Sequence, residues 1–272
     1  MRLRARVGDG AILLVAAATL GFLLYPAVVI FSGSLQTNET LFARDRFDLT
    51  WANYRHIFEA GFGTYLSNSL FICLAATLAA TVVSVMAAYV FSRRRFRMRR
   101  VLLTAVVAGQ WFPWIVLVTP LFILFARTGM TNSYSGIILC YTAISIPFSV
   151  YLLLGYLETV PRELDEAAMV DGCTPLGALW HVVLPVMLPG VVATATYAFL
   201  LCWTEYLFAL AFLTRSAMKT LPLGLYQFFG EDTVDWGAVM AGSAVTTLPA
   251  LLLFLPLQRW LVAGLTAGSV KQ

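Results

Sequence analysis

Charged residues are scarce in this sequence of 272 residues, where Asp, Glu, Lys and Arg together make up 12% of the chain. Soluble globular domains carry about 25% charged residues, so the chain has too little charge to cover the surface of a soluble globule of its size. Apolar residues reach 60%, and the mean hydropathy is +0.82. This excess of apolar over charged residues disfavours a disordered chain, a collagen-like chain and an ordinary soluble enzyme. It fits a protein that is surrounded mostly by lipid.

Residues that form disulfides, hold metals or bind nucleotides are also few. The four cysteines form no close pair and three lie inside apolar runs, so they are expected to be small buried hydrophobes. His56 and His181 lie far apart, and no metal site is predicted. Neither of the two lysines, Lys219 and Lys271, follows a glycine, so the phosphate-binding motif G-x-x-x-x-G-K-[ST] is absent. The chain is therefore not expected to hydrolyse ATP, and the lack of H-E-x-x-H or G-x-S-x-G disfavours a membrane-embedded enzyme.

Long apolar runs, in contrast, are abundant. A helix needs about 20 apolar residues to cross a hydrocarbon core of about 30 Å. The first run is longer than the apolar stretch of a signal peptide and no A-x-A site follows it, so it is interpreted as a retained anchor. The expected fold is an all-α membrane protein, one domain over 1–272, with six transmembrane helices. Their predicted positions are Ala11–Phe31, Leu66–Phe91, Val101–Phe125, Gly136–Leu157, Pro189–Leu213 and Gly242–Leu265.

The distribution of cations along the chain predicts the orientation. Twelve of the 18 cations fall before the first run, in the links after the second and fourth runs, or at the end of the chain, and six of them crowd Arg93–Arg100. Short loops rich in Arg and Lys stay in the cytoplasm. Both termini are therefore predicted to be cytoplasmic, and the Arg93–Arg100 cluster is interpreted as a topology signal.

The fourth link, 158–188, holds five of the 14 acidic residues and is predicted to form two short helices. Pro161 suits a helix start, and three acids follow it near the positive end of the helix dipole. Leu164, Ala167, Ala168 and Asp171 recur at helical spacing and are expected to share one face. Gly172 is predicted to end this helix with a positive φ. Thr174-Pro175 is predicted to cap and start a second helix that ends near Pro185.

The same link resembles a known family of membrane proteins. Glu166-Ala167-Ala168, three residues, Gly172, nine residues and then Val182-x-Leu184-Pro185 is similar to the EAA loop of membrane subunits of binding-protein-dependent ABC importers. The family prefers Ile where this chain has Val182. Softer matches, Tyr65-x-x-Asn68-Ser69-Leu70 and Thr119-Pro120-Leu121-Phe122 among them, are similar to the carbohydrate-uptake branch, and most similar to the smaller permease of maltose-type transporters.

The resemblance implies a type I ABC importer permease fold and a set of partners. Such a subunit pairs with a second, similar permease on two ATPase subunits, which bind ATP and Mg, while this chain binds no cofactor. An extracytoplasmic binding protein delivers the substrate, and the short tail Ala267–Gln272 approaches the ATPase interface weakly. The location implied is the bacterial inner membrane. The residues implied in coupling to the ATPase are Leu164, Glu166, Ala167, Ala168, Asp171, Gly172, Leu184 and Pro185.

Glu205 is the one carboxylate well inside an apolar run, where a charge marks a candidate functional site. The family often has Trp-Asn-Glu at this place, and here Thr204 replaces the Asn. The preferred interpretation is structural: Glu205 bonds to a neighbouring helix or to the paired permease. The alternative is that Glu205 and Thr204, with Asn68 and Gln110, border the translocation path. Pro113 and Pro120 are also expected to bend the third run.

The resemblance implies ATP-driven import of a sugar, either an oligosaccharide or a disaccharide. A permease for glycerol phosphodiesters or polyols remains an alternative within the same family. A secondary transporter is a more distant alternative, because such proteins show inverted repeats with broken helices and need no ATPase.

Overall fold

The computed structural model describes the backbone of residues 2–43, 48–230 and 233–269, and the side chains of 12–43, 48–230 and 233–258. The described chain is helical, with a single isolated β-bridge between Phe229 and Val234, which confirms the all-α prediction. Three cations that entered the orientation prediction, Arg44, Arg46 and Lys271, lie outside the described residues. The helices are α1 (Arg2–Gly33), α2 (Asn38–Leu41), α3 (Ala52–Glu59), α4 (Phe62–Arg93), α5 (Arg99–Ala108), α6 (Trp114–Arg127), α7 (Tyr134–Leu157), α8 (Glu163–Val170), α9 (Pro175–Ala178), α10 (Leu184–Trp203), α11 (Leu207–Phe212), α12 (Leu221–Tyr226) and α13 (Trp236–Ser269).

Five helical segments of the described chain are long and apolar enough to cross a membrane: Ile12–Gly33, Phe62–Arg93, Tyr134–Leu157, Pro175–Trp203 and Trp236–Gln258. A sixth exists only if α5, its 3-10 extension to Trp111 and α6 count as one span, because the two halves meet at 101°. Pro113 has no N–H to donate to the hydrogen bonds of the helix, and it keeps Phe112 extended (ψ 127°). The predicted third span, Val101–Phe125, is therefore broken, at one of the two prolines expected to bend it.

The predicted fifth span, Pro189–Leu213, has wrong boundaries at both ends. The helix begins at Pro175, where α9 starts, and continues through a π-turn at Leu179–Val183 into α10, which ends at Trp203. The second helix of the link therefore does not end near Pro185 as predicted, because it is continuous with the span. Pro185 has no N–H to donate to the preceding turn, and the wider π-turn directly before it keeps the helix continuous. At the other end, Thr204–Tyr206 interrupts the helix before α11.

The chain forms two compact units, 1–63 with 224–248 and 64–223 with 249–272. In the first unit, Asn53 donates from Nδ2 to the carbonyls of Ser34 (2.9 Å) and Gln36 (2.7 Å). Asp235 caps α13 by accepting from the amide of Ala238 at 3.0 Å, and its Oδ1 also accepts from Nδ2 of Asn38 at 3.0 Å. These bonds tie α3 to the segment that follows α1, and α2 to the start of α13.

In the second unit, α4 and α7 lie side by side and run in the same direction. At one end Tyr134 donates from its hydroxyl to Oδ1 of Asn68 at 2.8 Å, and at the other Arg93 donates to the carbonyl of Leu157. We call the end at Arg93 and Leu157 the basic end and the end at Asn68 and Tyr134 the opposite end. Near the basic end, α7 packs closely on α10, since a Cβ added at Gly190 would overlap the ring of Tyr156.

Candidate coupling site

The first helix of the link between α7 and α10 ends as predicted, but it begins at Glu163, two residues after Pro161, and no side chain caps its N-terminus. Helix α8 has Glu163, Asp165 and Glu166 in its first turn, where they complement the helix dipole. Its last turn closes with two bonds, from the amide of Cys173 to the carbonyl of Ala168 (2.9 Å) and from the amide of Gly172 to the carbonyl of Met169 (3.1 Å). Gly172 has φ +91°, which confirms the predicted positive φ. This pair of bonds is a Schellman motif, which needs a left-handed residue at this position.

The second helix begins as predicted. Thr174 accepts from the amide of Gly177 at 3.1 Å through its hydroxyl, and Pro175 occupies the first turn. A fixed corner of four residues, Asp171–Thr174, therefore joins two capped helices. Such a link transmits displacement better than a loop without internal hydrogen bonds would.

The faces of α8 differ from the prediction. Asp165 and Ala168 are buried against the chain itself, and Leu164 is half-buried against the core between α7 and α10. Ala167 and Asp171 are exposed. Leu164, Ala167, Ala168 and Asp171 keep their helical spacing, but the face that they share is divided: Ala168 is buried within the chain and is not available to a partner in this structure, while Ala167 is.

The exposed surface of α8 carries apolar side chains that the sequence reasoning missed. Val170 is 87% exposed and Met169 is 43% exposed, although both lie outside the membrane-spanning segments. With them we define the exposed surface of α8 as Glu166, Ala167, Met169, Val170, Asp171 and Gly172. Farther along, Pro185 is exposed and Leu184 is half-buried against the core. Apolar side chains that the chain itself leaves uncovered at the end of a helix favour a surface that another molecule covers.

The buried face of α8 carries an ion pair. Arg93 Nε lies 2.8 Å from Asp165 Oδ2, with side-chain exposures of 9% and 6%. Tyr89 donates from its hydroxyl to Oδ1 of Asp165 at 2.7 Å, and Arg162 donates from Nη2 to the carbonyl of Ser92 at 2.7 Å. We call Tyr89, Ser92, Arg93, Arg162 and Asp165 the Arg93–Asp165 cluster. It attaches the first half of α8 to the end of α4.

This cluster was not predicted from the sequence, because Arg93 was counted with Arg94–Arg100 only as part of the positive charge of the link. Two signals could have separated it from the rest. Arg93 is the last residue of the apolar helix α4, whereas Arg94, Arg95 and Arg97 follow in the exposed link. Asp165 lies three residues before Ala168, on the same face of α8. A carboxylate on the apolar face of a helix needs a buried partner, and Arg93 is within reach.

The residues proposed for the translocation path occupy separate places in the second unit. Asn68 donates from Nδ2 to the carbonyls of Ala217 (2.9 Å) and Lys219 (3.0 Å), in addition to its bond with Tyr134. Glu205 accepts from Tyr141. Because Tyr134 and Tyr141 are two helical turns apart on α7, Asn68 and Glu205 are separated by about 10 Å along the helix axis. Both are buried, and the structure does not bring them into one polar site.

Glu205 bonds within the chain on both of its carboxylate oxygens. Tyr141 donates from its hydroxyl to Oε2 at 2.8 Å, and the amides of Phe208 and Ala209 donate to Oε1 and Oε2 at 2.9 and 3.2 Å. The carboxylate thus caps the N-terminus of α11 and bonds to α7, the arrangement expected under the structural interpretation. The role of Glu205 in the path stays a prediction.

The other two residues of that set are more accessible. Thr204 is exposed and donates from its hydroxyl to the carbonyl of Leu200 at 2.9 Å. Gln110 is half-buried in the 3-10 turn Gly109–Trp111, directly before the break in the third span. Asn132, which the sequence reasoning did not name, has φ 51° and accepts on Oδ1 from the amides of Thr214 (2.8 Å) and Arg215 (2.9 Å). These bonds fix the loop before α7 to the segment after α11.

The described chain therefore combines long apolar helices, a broken third span and a link between α7 and α10 that is held by hydrogen bonds at its corner. The model of the binding-protein-dependent transport system inner membrane component matches residues 59–267. The chain belongs to this family, whose members are membrane components of ABC importers.

Three relatives illustrate the likeness. The chain is 36% identical over 256 residues to the sulfoquinovosyl glycerol transport system permease protein SmoH of Agrobacterium fabrum, covering 91% of this chain and 89% of the relative. It is 37% identical to the diacetylchitobiose uptake system permease protein DasC of Streptomyces coelicolor, covering 82% of each. It is also 37% identical to the trehalose/maltose transport system permease protein MalG of Thermococcus litoralis, covering 77% of this chain and 76% of the relative.

Solved structures share the fold. A chain of a bacterial ABC transporter involved in the import of the acidic polysaccharide alginate superposes with a TM-score of 0.80, 21% identity and coverage of 93% of this chain and 96% of that chain. A chain of the MetNI methionine ABC transporter superposes with a TM-score of 0.58, 17% identity and coverage of 74% and 94%. The fold is therefore that of a type I ABC importer permease, as predicted.

Proposed function

We propose that this chain is the membrane subunit of an ATP-driven importer for a glycoside, either a disaccharide or an oligosaccharide. The observation that carries the proposal is the naming of three relatives, at 36–37% identity, for transport of sulfoquinovosyl glycerol, diacetylchitobiose, and trehalose or maltose. All of these are glycosides. Diacetylchitobiose, trehalose and maltose are disaccharides, whereas sulfoquinovosyl glycerol has one sugar residue and is anionic, so the feature that these substrates share is the glycosidic sugar and not the charge.

The energy comes from partner subunits in this proposal. Two ATPase subunits bind ATP and Mg, and a second, similar permease completes the membrane unit. This chain binds one ATPase subunit through the exposed surface of α8, where Met169 and Val170 supply apolar contact area. The Schellman motif at Gly172 and the cap at Thr174 support this role, because a docked element must keep its shape when the partner moves.

The chain moves between two states in the membrane. Closure of the ATPase dimer on ATP displaces the docked α8, and the membrane helices follow as a body, opening away from the cytoplasm to receive substrate from an extracytoplasmic binding protein. A partner shifts such an equilibrium only by binding one state better than the other. The contact at α8 must therefore persist in both states, and the closure of the ATPase dimer supplies the free-energy difference between them.

The orientation that fits this mechanism places α8 and both termini in the cytoplasm of a bacterium, with the chain in the inner membrane. The excess of arginine on that side supports it. Two single cysteines test it, on a background lacking the four native ones: Met98→Cys in the basic link and Ser216→Cys after α11, both exposed positions. An impermeant thiol reagent added outside should label only Ser216→Cys. Labelling of Met98→Cys from outside contradicts the orientation.

The substrate is tested on the complete transporter. The complex is purified with its binding protein, the ligand that the binding protein retains is identified by mass spectrometry, and ATP-dependent uptake of that ligand into vesicles is measured. A retained disaccharide or oligosaccharide that is taken up supports the proposal. A retained glycerol phosphodiester or polyol replaces it with the alternative substrate class, and uptake that continues without ATPase subunits indicates a secondary transporter instead.

A further inference from the structure

One arginine side chain connects three elements of the second unit at the basic end. Arg93, the last residue of α4, lies with Nε 2.8 Å from Oδ2 of Asp165 on α8. Its Nη2 donates to the carbonyl of Val160 at 3.0 Å and its Nη1 to the carbonyl of Leu157, the last residue of α7. The planar guanidinium can hold several acceptors in fixed directions. The side chain therefore sets the position of α8 relative to both α4 and α7.

Asp165 contacts α4 on two successive turns. Oδ2 pairs with Arg93, and Oδ1 accepts from the hydroxyl of Tyr89, four residues earlier on the same face. A third contact, from Arg162 to the carbonyl of Ser92, lies just before α8. Arg162 and Asp165 lie about one turn apart at the start of α8, so their contacts with the end of α4 constrain the direction of α8 as well as its position.

Neither membrane topology nor plain stabilisation accounts for this arrangement. A topology signal needs only positive charge, which the exposed Arg94, Arg95 and Arg97 already provide in the same link. Plain stabilisation is obtained equally well from apolar side chains, since a buried ion pair loses much of its Coulomb energy to desolvation. The hydrogen bonds around the ion pair, from Tyr89 to Asp165 and from Arg93 to the carbonyls of Leu157 and Val160, add directed contacts that apolar side chains lack.

We propose that the Arg93–Asp165 ion pair is the connection through which displacement of α8 moves α4 and α7. Arg93 and Asp165 are positioning residues, and neither contacts the substrate or the ATPase. The proposal rests on the proposed function, because an ATPase subunit must displace α8. The partner binds the exposed surface of α8 while the buried face carries the cluster, so the displacement passes across the width of a single helix.

The experiment measures whether α8 and the membrane helices move as one body. Spin labels are placed at Glu163→Cys on α8 and Ser216→Cys at the opposite end of the second unit, both exposed, on a background lacking the native cysteines. The assembled transporter is measured without nucleotide and after trapping with ATP and vanadate. Arg93→Gln and Asp165→Asn remove each charge. Arg97→Gln is the matched control, since it removes the same charge from an exposed position in the same link.

With the connection intact, the distance between the two labels should change by less than about 2 Å on trapping, because the labelled elements rotate together. Arg93→Gln and Asp165→Asn should let α8 move alone, so that the distance shifts or its distribution broadens by more than about 5 Å. They should also lower hydrolysis-driven uptake per ATP at least tenfold while the ATPase subunits stay bound. The control should behave as wild type. Wild-type distances and uptake per ATP in both single variants would overturn the proposal.

A charge exchange keeps the test decisive if the single variants fail to assemble. The double variant Arg93→Asp with Asp165→Arg should regain assembly and an unchanged label distance, whereas failure to regain either one overturns the proposal. The distance measurement needs only ATP and vanadate. A wild-type transporter that takes up no sugar would therefore refute the proposed substrate while leaving this result valid, and a wild-type chain that binds no ATPase would refute the proposed function itself.

Discussion

Two buried carboxylates in the second unit are stabilised in different ways. Asp165 at the basic end is paired with the guanidinium of Arg93 and with a tyrosine hydroxyl. Glu205, in the break that follows Trp203, accepts from a tyrosine hydroxyl and from two backbone amides at the start of α11. The partners of Glu205 come from its own helix break and from α7, whereas Asp165 depends on a cation from a distant part of the sequence.

This difference predicts how far each site depends on charge. Removing one member of a buried ion pair leaves an uncompensated charge and costs about 3–5 kcal/mol. Replacing a carboxylate by an amide at a site of hydrogen bonds removes only part of the interaction, because the remaining oxygen still accepts. Asp165 should therefore be the more sensitive of the two sites, and the following variants test that order.

Arg93→Met should have the largest effect on stability, lowering the free energy of unfolding of the solubilised chain by about 3–5 kcal/mol. Adding Asp165→Leu should restore much of this loss, because no charge is then left unpaired, although the hydroxyl of Tyr89 and the carbonyl of Val160 lose the bonds that the pair gave them. Thermal unfolding in detergent measures both. Uptake per ATP should stay low in the double variant even though stability returns. A double variant with normal uptake per ATP would show that apolar contacts can replace the pair.

The general layout of the chain could be predicted from its sequence, since a run of about 20 apolar residues can satisfy its backbone inside a bilayer only as a helix. The turn at Gly172 could be predicted because glycine is the residue that adopts a positive φ without strain. The breaks were harder to predict. Within an all-apolar run, helical periodicity is not visible, so Trp203 could not be distinguished as a helix end.

The interruption at Thr204–Tyr206 arises because Glu205 bonds to the amides of Phe208 and Ala209 and starts a new helix there. The π-turn before Pro185 is likewise a local adjustment that depends on packing. The pairing of Arg93 with Asp165 joins residues far apart in the sequence, and a charge count could not reveal it. For α8 itself, helical spacing placed Ala168 and Asp171 on one face, while the contact of Asp165 with α4 decided which residues are buried.

Gly172→Val should lower stability by about 1–2 kcal/mol, because a β-branched residue is strained at φ +91°. Among the described residues, apart from the two neighbours of Gly172 in the chain, no atom lies within 4 Å of the new Cβ, so the cost arises from the backbone conformation. Binding of the ATPase subunits, or the stimulation of hydrolysis by loaded binding protein, should be lost together with uptake. Co-purification and hydrolysis assays measure both.

Two matched variants separate strain from bulk at this turn. Gly172→Asn should be tolerated better than Gly172→Val, since asparagine adopts the left-handed region more readily. Gly155→Val, at an exposed helical glycine of α7 with free space around it, should leave ATPase binding unchanged. Full uptake with normal stimulation in Gly172→Val would show that this link does not couple the permease to the ATPase.

Glu205→Gln should lower the free energy of unfolding by about 1 kcal/mol, less than Arg93→Met or Gly172→Val, because the amide oxygen still accepts one of the backbone hydrogen bonds. The complex should assemble and transport at a modestly reduced rate. Tyr141→Phe removes the hydroxyl that donates to the same carboxylate and should have an effect of similar size. If Glu205→Gln leaves assembly and hydrolysis normal but changes which sugar is carried, Glu205 borders the path and the structural interpretation fails.

Val170→Asp should have the smallest effect on stability, within about 0.5 kcal/mol, because the side chain is 87% exposed and supports no contact in the core. It should nevertheless weaken binding of the ATPase subunits, since a carboxylate would have to lose its hydration at an apolar contact. Co-purification of the ATPase subunits measures this, and Val170→Ala is the milder comparison. The variant thereby separates the two faces of α8: Arg93→Met destabilises the chain, whereas Val170→Asp leaves the chain intact and releases the partner. Normal ATPase binding in Val170→Asp would place the docking contact elsewhere on the link, with Leu176, which is 53% exposed on α9, as the next position to change.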